Sequence, residues 1–120
     1  KKLVLFEPHF RRNFIHIRDV VFAIIYSIKN FSRLKNNVYN LGLSSANITK
    51  LDLAKKIKKY TKSLKIKIVE NKKDPDQRDY FVSNKKIEKK GFKAKIKIEQ
   101  GIKELVKLFS QNKVKIVNNY

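Results

Sequence analysis

The stretch RRNFIHIRDV at residues 11–20 determines how the rest of the sequence is interpreted. Residues 13–17 alternate Phe or His with Ile, which predicts a strand with two distinct faces. Asp19 follows and can cap a helix, and from Val21 onward apolar side chains recur at i, i+3, i+4 and i+7. We therefore expect a strand that leads into a buried helix, which ends near Asn30 and is central to the fold.

Short strands and further helices alternate along the remaining sequence. Apolar or alternating runs predict strands at 3–6, 38–41, 65–69, 80–82 and 93–98. Helices are predicted at three places, namely from the Thr49-x-x-Asp52 capping pattern onward, over 84–90 with Gly91 as C-cap, and along the apolar stripe from Ile98 to Phe109. A polar surface loop over 71–79 completes the pattern, which is typical of a mixed α/β unit.

One domain accounts for the length of 120 residues, and we assign residues 1–111 to it and 112–120 to a tail. The chain contains no methionine, so position 1 is not an initiator and we expect the chain to be a piece of a longer protein. The longest nearly unbroken apolar run, at 20–28, is too short to span a bilayer, and we expect no signal peptide. We therefore expect a cytoplasmic protein without membrane contact.

The composition is strongly basic, with 30 Lys and Arg against 10 Asp and Glu and a net charge of +20. A large positive charge attracts polyanions, so the charge favours a small basic nucleic-acid-binding domain as one possible function. A biased genome explains it as well, because Lys, Asn and Ile share A/T-rich codons. Phosphate recognition favours Arg, whose planar fork binds two oxygens at once. The five arginines are therefore the informative cations.

Several kinds of chemistry are excluded by the residues that are missing. The chain has no cysteine and only two histidines, His9 and His16, without zinc-ligand spacing, so we expect no disulfide and no metal site. Three glycines do not form a Gly-rich phosphate loop, and no Gly-x-Ser-x-Gly motif occurs. We assign no catalytic, cofactor-binding or metal-binding residue to this chain.

Residues 12–21 resemble a motif of the extended short-chain dehydrogenase/reductases, the NAD-dependent sugar-nucleotide epimerases and dehydratases. That family runs Arg, a polar residue, an aromatic, two β-formers, a β-branched residue and Asp, followed by a helix. Residues 38–42 are similar to its Tyr-Asn-x-Gly strand end, and residues 49–54 to its Thr-x-x-Glu-Leu-Ala helix. Its closing segments are matched by 74–80, 83–87 and 91–102. The order of these pieces makes the resemblance specific over roughly residues 1–108.

The resemblance implies the C-terminal substrate-binding lobe of a Rossmann-type enzyme whose N-terminal dinucleotide-binding half is missing. In the family, an arginine at the position of Arg12 reaches the diphosphate of the bound sugar nucleotide, and a second arginine comes from a late loop. Arg78 is the candidate for that second arginine, although the family often carries it just before the proline, at Asp74 here. Epimerase, dehydratase and reductase chemistry stay open, as do the base and the sugar.

The family's cofactor and partners follow from the same resemblance. NAD or NADP would be bound by the missing half, which would also hold a Tyr-x-x-x-Lys pair. The intact enzyme would be a homodimer. None of the five tyrosines here is followed by Lys four residues on, so the fragment alone is expected to be inactive. Its partners would be the nucleotide-sugar substrate and its own Rossmann domain.

Other polar residues of the central stretch are interpreted structurally. We expect His16 to be a half-exposed strand residue and Asp19 to be a helix cap. For Arg11 the sequence indicates no defined partner.

Overall fold

The structure is a computed structural model that describes residues 1–69, 72–73 and 75–111. Its strands are β1 (Lys2–Phe6), β2 (Arg11–Asn13), β3 (Asn47–Thr49) and β4 (Lys65–Val69). Its helices are α1 (Ile17–Lys29), α2 (Phe31–Leu34), α3 (Lys50–Tyr60), α4 (Lys85–Lys89) and α5 (Ile98–Ser110), and a 3-10 turn spans Ser44–Ala46. This interleaving confirms the mixed α/β fold class. The tail predicted at 112–120 lies outside the described residues.

β1 and β4 form a parallel pair, in which Lys2 lies opposite Lys65 and Phe6 opposite Val69. Parallel strands need a long crossover connection, and α3 lies within it, in contact with β1. The strands predicted at 3–6 and 65–69 are confirmed. No described helix is long and apolar enough to cross a membrane.

β2 and β3 form an antiparallel pair that ends in the N-cap of α3. The Thr49 hydroxyl oxygen accepts a hydrogen bond from the backbone N–H of Asp52 at 3.0 Å, and the Asp52 carboxylate accepts one from the Thr49 N–H at 3.3 Å. The hydrogen bond from the Thr49 hydroxyl is the main reason that the pKa of Asp52 lies below its usual range. This reciprocal capping box confirms the helix start predicted from the sequence.

The strand predicted over 13–17 is wrong beyond its first residue. β2 ends at Asn13, and α1 already begins at Ile17. Between them the chain is extended, and Phe14 and Ile15 pack against a buried cluster of Leu43, Ala46 and Ala94. The alternation of side chains therefore reflects the packing of a short extended segment rather than a longer strand.

The N-cap of α1 is His16, and the prediction of Asp19 as the cap is wrong. The Nδ1 atom of His16 accepts a hydrogen bond from the backbone N–H of Arg18 at 3.1 Å. Asp19 lies in the first helical turn with an exposed fraction of 3%, and its carboxylate accepts the N–H groups of Lys95 and Ile96 at 3.1 and 2.9 Å. Asp19 thus ties α1 to the segment that precedes α5.

Three segments predicted as strands, 38–41, 80–82 and 93–98, are not strands in the described chain. Side chains take over part of the hydrogen bonding that a neighbouring strand would provide. The Asn47 amide donates to the Val82 carbonyl at 3.0 Å and accepts from the Val82 N–H at 2.9 Å. In the segment 93–98 the Asp19 carboxylate accepts two backbone N–H groups. Extended backbone satisfied in this way has the sequence pattern of a strand without belonging to a sheet.

The apolar stripe of α1, predicted to be buried, is exposed in this chain. The four residues concerned are Val21, Ile24, Ile25 and Ile28, with exposed fractions of 47, 55, 43 and 71%. The buried apolar residue of α1 is instead Ala23, which packs with Ile87 and Phe92. The helix therefore turns a small residue toward the core and leaves its large ones uncovered.

The helix predicted over 84–90 is confirmed as α4, and its predicted cap is confirmed as well. Gly91 has a φ of 101° and donates its N–H to the Glu88 carbonyl at 2.9 Å. Glycine adopts this left-handed conformation without a steric penalty.

A close approach of backbone and side chain fixes the position of Asn13. Its Nδ2 atom donates to the Leu43 carbonyl at 3.0 Å. Its Oδ1 atom lies so near Gly42 that a Cβ atom there would be 1.7 Å away. A residue with a side chain does not fit at position 42 unless Asn13 moves.

We expect Asp19→Ala to lower the free energy of unfolding by about 2–4 kcal/mol, because two part-buried N–H groups lose a charged acceptor. Urea denaturation followed by circular dichroism measures the loss. As a reference for one lost cap, Thr49→Ala should cost about 1 kcal/mol. A loss in Asp19→Ala no larger than in Thr49→Ala would contradict the role assigned to Asp19.

Candidate functional site

Arg12, at the centre of β2, is held by the loop that follows β4. Its Nη1 atom donates to the backbone carbonyls of Arg11, at 2.8 Å, and of Arg78. Its Nη2 atom donates to the backbone carbonyl of Asp76 at 3.0 Å and forms an ion pair with the Asp76 carboxylate at 3.0 Å. The side chain is only 14% exposed, and its guanidinium carbon lies 5.2 Å from the centre of the Tyr80 ring. Arg12 therefore anchors this loop against β2.

Arg78 contacts the same carboxylate from within the loop, two residues beyond Asp76. Its Nε atom donates to Oδ1 of Asp76 at 2.6 Å, whereas Arg12 contacts Oδ2. The Arg78 side chain is 77% exposed, and within the described residues its guanidinium contacts Asp76 through Nε. The structure thus brings the two predicted arginines, 66 residues apart in sequence, to one carboxylate.

The two cations change the titration of that carboxylate. The hydrogen bond from Arg78 is the main cause, and the charge of Arg12 adds to it, so that the pKa of Asp76 falls to about 2. The pKa of Arg78 is raised in return. Asp76 is therefore ionised throughout the physiological pH range.

A second pair, which the sequence does not predict, fixes the loop just beyond Arg78. The Asp79 carboxylate accepts hydrogen bonds from Nε and Nη2 of Arg11 at 3.1 and 3.0 Å and from the Arg11 backbone N–H at 2.7 Å. The Arg11 contact also holds the pKa of Asp79 below its usual range. Arg11, for which no partner was expected, thus ties the loop to β2. Only the fold reveals this partner, because the two residues are 68 positions apart.

His16 belongs to a separate polar cluster on α1 and α5. Its Nδ1 atom accepts the Arg18 N–H, so the proton lies on Nε2, which donates to the Glu104 carboxylate at 3.0 Å. Arg18 and Gln100 also contact that carboxylate. The His16 side chain is 11% exposed, so the expected half-exposed strand position is wrong. Both ring nitrogens are engaged, and His16 acts here as a structural link.

Two cavities of the described residues lie away from Arg12 and Arg78. One, of about 1160 Å³, lies between α3 and α5 and is lined mainly by apolar residues such as Ile57, Leu64, Leu105 and Phe109. The other, of about 390 Å³, lies between α1 and the segment 38–41. Among the described residues, no group of three or more His, Cys, Asp or Glu side chains is arranged to hold a metal ion.

The chain has the α/β fold of a portion of the extended short-chain dehydrogenase/reductases, which confirms the resemblance indicated by its motifs. It is similar to a GDP-D-glycero-L-gluco-heptose synthase from Campylobacter jejuni, determined with NADPH, at a TM-score of 0.75 and 24% identity over 92% of this chain and 33% of that one. It is also similar to a GDP-mannoheptose C4 reductase from the same organism with NADP bound, at a TM-score of 0.74 and 25% identity over 92% of this chain and 35% of that one.

A third solved structure, a GDP-6-OMe-4-keto-L-xylo-heptose reductase from C. jejuni, matches at a TM-score of 0.70 and 24% identity, over 93% of this chain and 34% of that one. No family model matches the sequence. The chain therefore spans about a third of the length of the solved structures that it matches.

We expect the Asp76 carboxyl to titrate near pH 2 and its pKa to rise toward the ordinary value of about 3.9 in Arg78→Gln. Because the folded pKa is depressed, the stabilisation from this contact is complete above the unfolded pKa and is lost as the pH falls toward 2. Carboxyl carbon NMR titration measures the shift. Arg33→Gln, a change remote from the loop, serves as control and should leave the Asp76 titration unchanged.

Proposed function

We propose that the chain is the C-terminal substrate-binding lobe, residues 1–111, of an NAD(P)-dependent nucleotide-sugar enzyme of the epimerase, dehydratase or reductase type. In this proposal Arg12 and Arg78 bind the diphosphate of the nucleotide sugar. The observation that carries it is the meeting of both guanidinium groups at a single anion, Asp76. The nucleotide-sugar and NADP(H) chemistry of the matched structures supports the class.

The arrangement suits a diphosphate for a physical reason. Each guanidinium presents a planar set of N–H donors that matches two oxygens of a phosphoryl group. Arg12 is partly buried, where charge-assisted hydrogen bonds are screened less than on open surface. Arg78 extends into solvent and can close over the second phosphoryl group. Together the two arginines hold one end of the substrate and so fix the position of its sugar ring.

The chain's own residues do not fit a dinucleotide site. Its glycines, Gly42, Gly91 and Gly101, lie too far apart in sequence to form a phosphate-binding loop. We therefore assign NAD or NADP, which supplies hydride transfer when bound, to an upstream half of the enzyme. The fragment contributes binding and orientation of the substrate and has no turnover of its own.

We propose further that the upstream half covers the apolar face of α1. This face carries the exposed residues Val21, Ile24 and Ile28 and adjoins the cavity between α1 and the segment 38–41. Val38 in that segment is 85% exposed although the segment has the composition of a buried strand. An apolar helix followed by an extended apolar segment has the pattern of the last two elements of a βαβ unit. The first strand of such a unit would lie parallel to that segment, with the helix packed across both.

A small basic nucleic-acid-binding domain is the alternative function. The net charge of +20 favours it, and Tyr80, which is 40% exposed and lies beside Arg12, offers an aromatic ring on which a base can stack. The two functions differ in their dependence on salt and on single arginines. A diphosphate site depends on Arg12 and Arg78, whereas a diffuse basic surface depends on many lysines.

We expect the chain to bind inorganic pyrophosphate, measured by isothermal titration calorimetry, and Arg78→Gln to weaken binding about tenfold or more. Arg33→Gln, which removes the same charge elsewhere, should change it little. The nucleic-acid alternative predicts tight binding of unrelated duplexes, with an affinity whose logarithm falls with the logarithm of salt concentration by about 0.9 per neutralised phosphate. In that case Arg78→Gln would lower this salt slope by the share of one phosphate. Such duplex binding, together with pyrophosphate binding that Arg78→Gln leaves unchanged, would overturn the proposed function.

We expect the double variant Ile24→Asp, Ile28→Asp to keep the unfolding free energy of the chain within about 0.5 kcal/mol, because both side chains are exposed. It should prevent association with a separately produced dinucleotide-binding half, as followed by size-exclusion chromatography. Leu105→Asp, at an exposed apolar position on α5, is the matched control. Loss of association in Leu105→Asp alone would place the docking surface on α5 instead.

A further inference from the structure

We propose that the ring of Tyr80 is a nucleobase-binding surface, on which the base of a nucleoside diphosphate stacks while Arg12 and Arg78, the arginine pair, hold its phosphates. The proposal rests on the proposed function, because it concerns the ligand of the same two arginines. It assigns a binding residue to the base, which is the planar part of such a ligand.

The ring of Tyr80 lies beside both arginines. The guanidinium carbon of Arg12 lies over it, 5.2 Å from its centre, in a cation–π contact. The pKa of Arg78 is raised mainly by its hydrogen bond with Asp76, and the phenolate charge of Tyr80 adds a smaller share, so Tyr80 lies near Arg78 as well. A ligand whose phosphates are held by these two cations therefore has the ring within reach of the group attached to its phosphates.

The chain is held in place on both sides of Tyr80. Before it, the Asp79 carboxylate is bound by the side chain and the backbone N–H of Arg11. After it, the backbone N–H and carbonyl of Val82 are both bonded to the Asn47 amide. A tyrosine side chain has only two χ angles to order, so a ring on such a fixed segment binds a flat ligand at a small cost in conformational entropy.

The exposure of Tyr80 leaves room for a base. The residue is 40% exposed even though Arg12 lies over its ring. Every base has a π-face, and stacking on an aromatic side chain requires no particular pattern of hydrogen bonds. A nucleic-acid strand is bound by aromatic side chains on which successive bases stack, whereas a fixed ring beside two cations suits one base on one diphosphate.

Phe81 provides a matched control at the next position. It is also aromatic and is more exposed than Tyr80, at 64%. Within the part of the chain that the structure describes, the ring in cation–π contact with Arg12 is that of Tyr80. A general preference of the base for an exposed aromatic side chain therefore appears in Phe81→Leu, whereas a contact formed next to the arginine pair appears in Tyr80→Leu.

The experiment measures by isothermal titration calorimetry how tightly ADP, UDP and inorganic pyrophosphate bind to the unaltered chain, Tyr80→Leu, Tyr80→Phe and Phe81→Leu at one ionic strength. The ratio of the ADP affinity to the pyrophosphate affinity is compared, because the charge difference between these ligands is the same for every variant. We expect Tyr80→Leu to lower this ratio about fivefold or more. Tyr80→Phe, which keeps the ring, and Phe81→Leu should retain it. The loss should be smaller for UDP, because its single-ring base stacks over less area.

Proton NMR provides a second measurement of the same contact. Stacking on an aromatic ring shifts the protons of a base upfield, so the base protons of ADP should move upfield with the unaltered chain and with Tyr80→Phe, but not with Tyr80→Leu. Base protons that do not move with the unaltered chain would contradict the stacking, even if Tyr80→Leu fails to fold. Circular dichroism and urea denaturation show whether each variant is folded.

Two calorimetric results would overturn the role of Tyr80. If Tyr80→Leu has the same affinity ratio as the unaltered chain, the ring does no more than hold Arg12 in position. If Phe81→Leu lowers the ratio as much as Tyr80→Leu does, the base meets a general apolar surface. In either case, pyrophosphate binding that depends on Arg78 leaves the proposed function standing. If the chain does not bind pyrophosphate, the proposed function and this inference fail together.

Discussion

The contacts of the Arg12 guanidinium with main-chain carbonyls are the interaction on which the candidate site depends. By donating to the carbonyls of Asp76 and Arg78, Arg12 converts a long polar loop into a defined wall beside β2. A lysine has the same charge but no planar set of donors with which to bind several acceptors at once. The chain is rich in lysine, yet at this point it uses arginine, and the geometry explains that choice.

Side chains bonded to main chain perform a similar task elsewhere in the molecule. The Asp19 carboxylate holds the segment before α5, and the Asn47 amide holds Val82 in the manner of a neighbouring strand. Among the described residues, the two sheets contain two strands each. In so small a sheet framework, such contacts provide order that strand pairing provides in larger sheets.

The sequence predicts the fold well where the signal is local. The capping box at Thr49, the glycine after α4, the alternation of β4 and the helix at Ile98 each depend on residues a few positions apart, and each is confirmed. The errors concern segments whose partners are distant. Residues 38–41 and 93–98 have the composition of strands, but strand formation requires a neighbour that no local pattern reveals.

The candidate site shows the same division. Arg12 and Arg78 follow from family-like motifs, whereas Asp76 as their common partner and Asp79 as the partner of Arg11 follow only from the tertiary structure. The stripe on α1 is a different case, because its periodicity predicts a buried face but its large apolar side chains are exposed in the described chain.

The contact between Gly42 and Asn13 links a remote position to the arginine pair. Any side chain at position 42 would push against the amide of Asn13, and Asn13 is joined by one peptide bond to Arg12. A displacement of Asn13 would be passed directly to the backbone of Arg12. Variants that keep the arginines yet replace this glycine would therefore carry their defect in the position of β2 and its loop rather than in their charge.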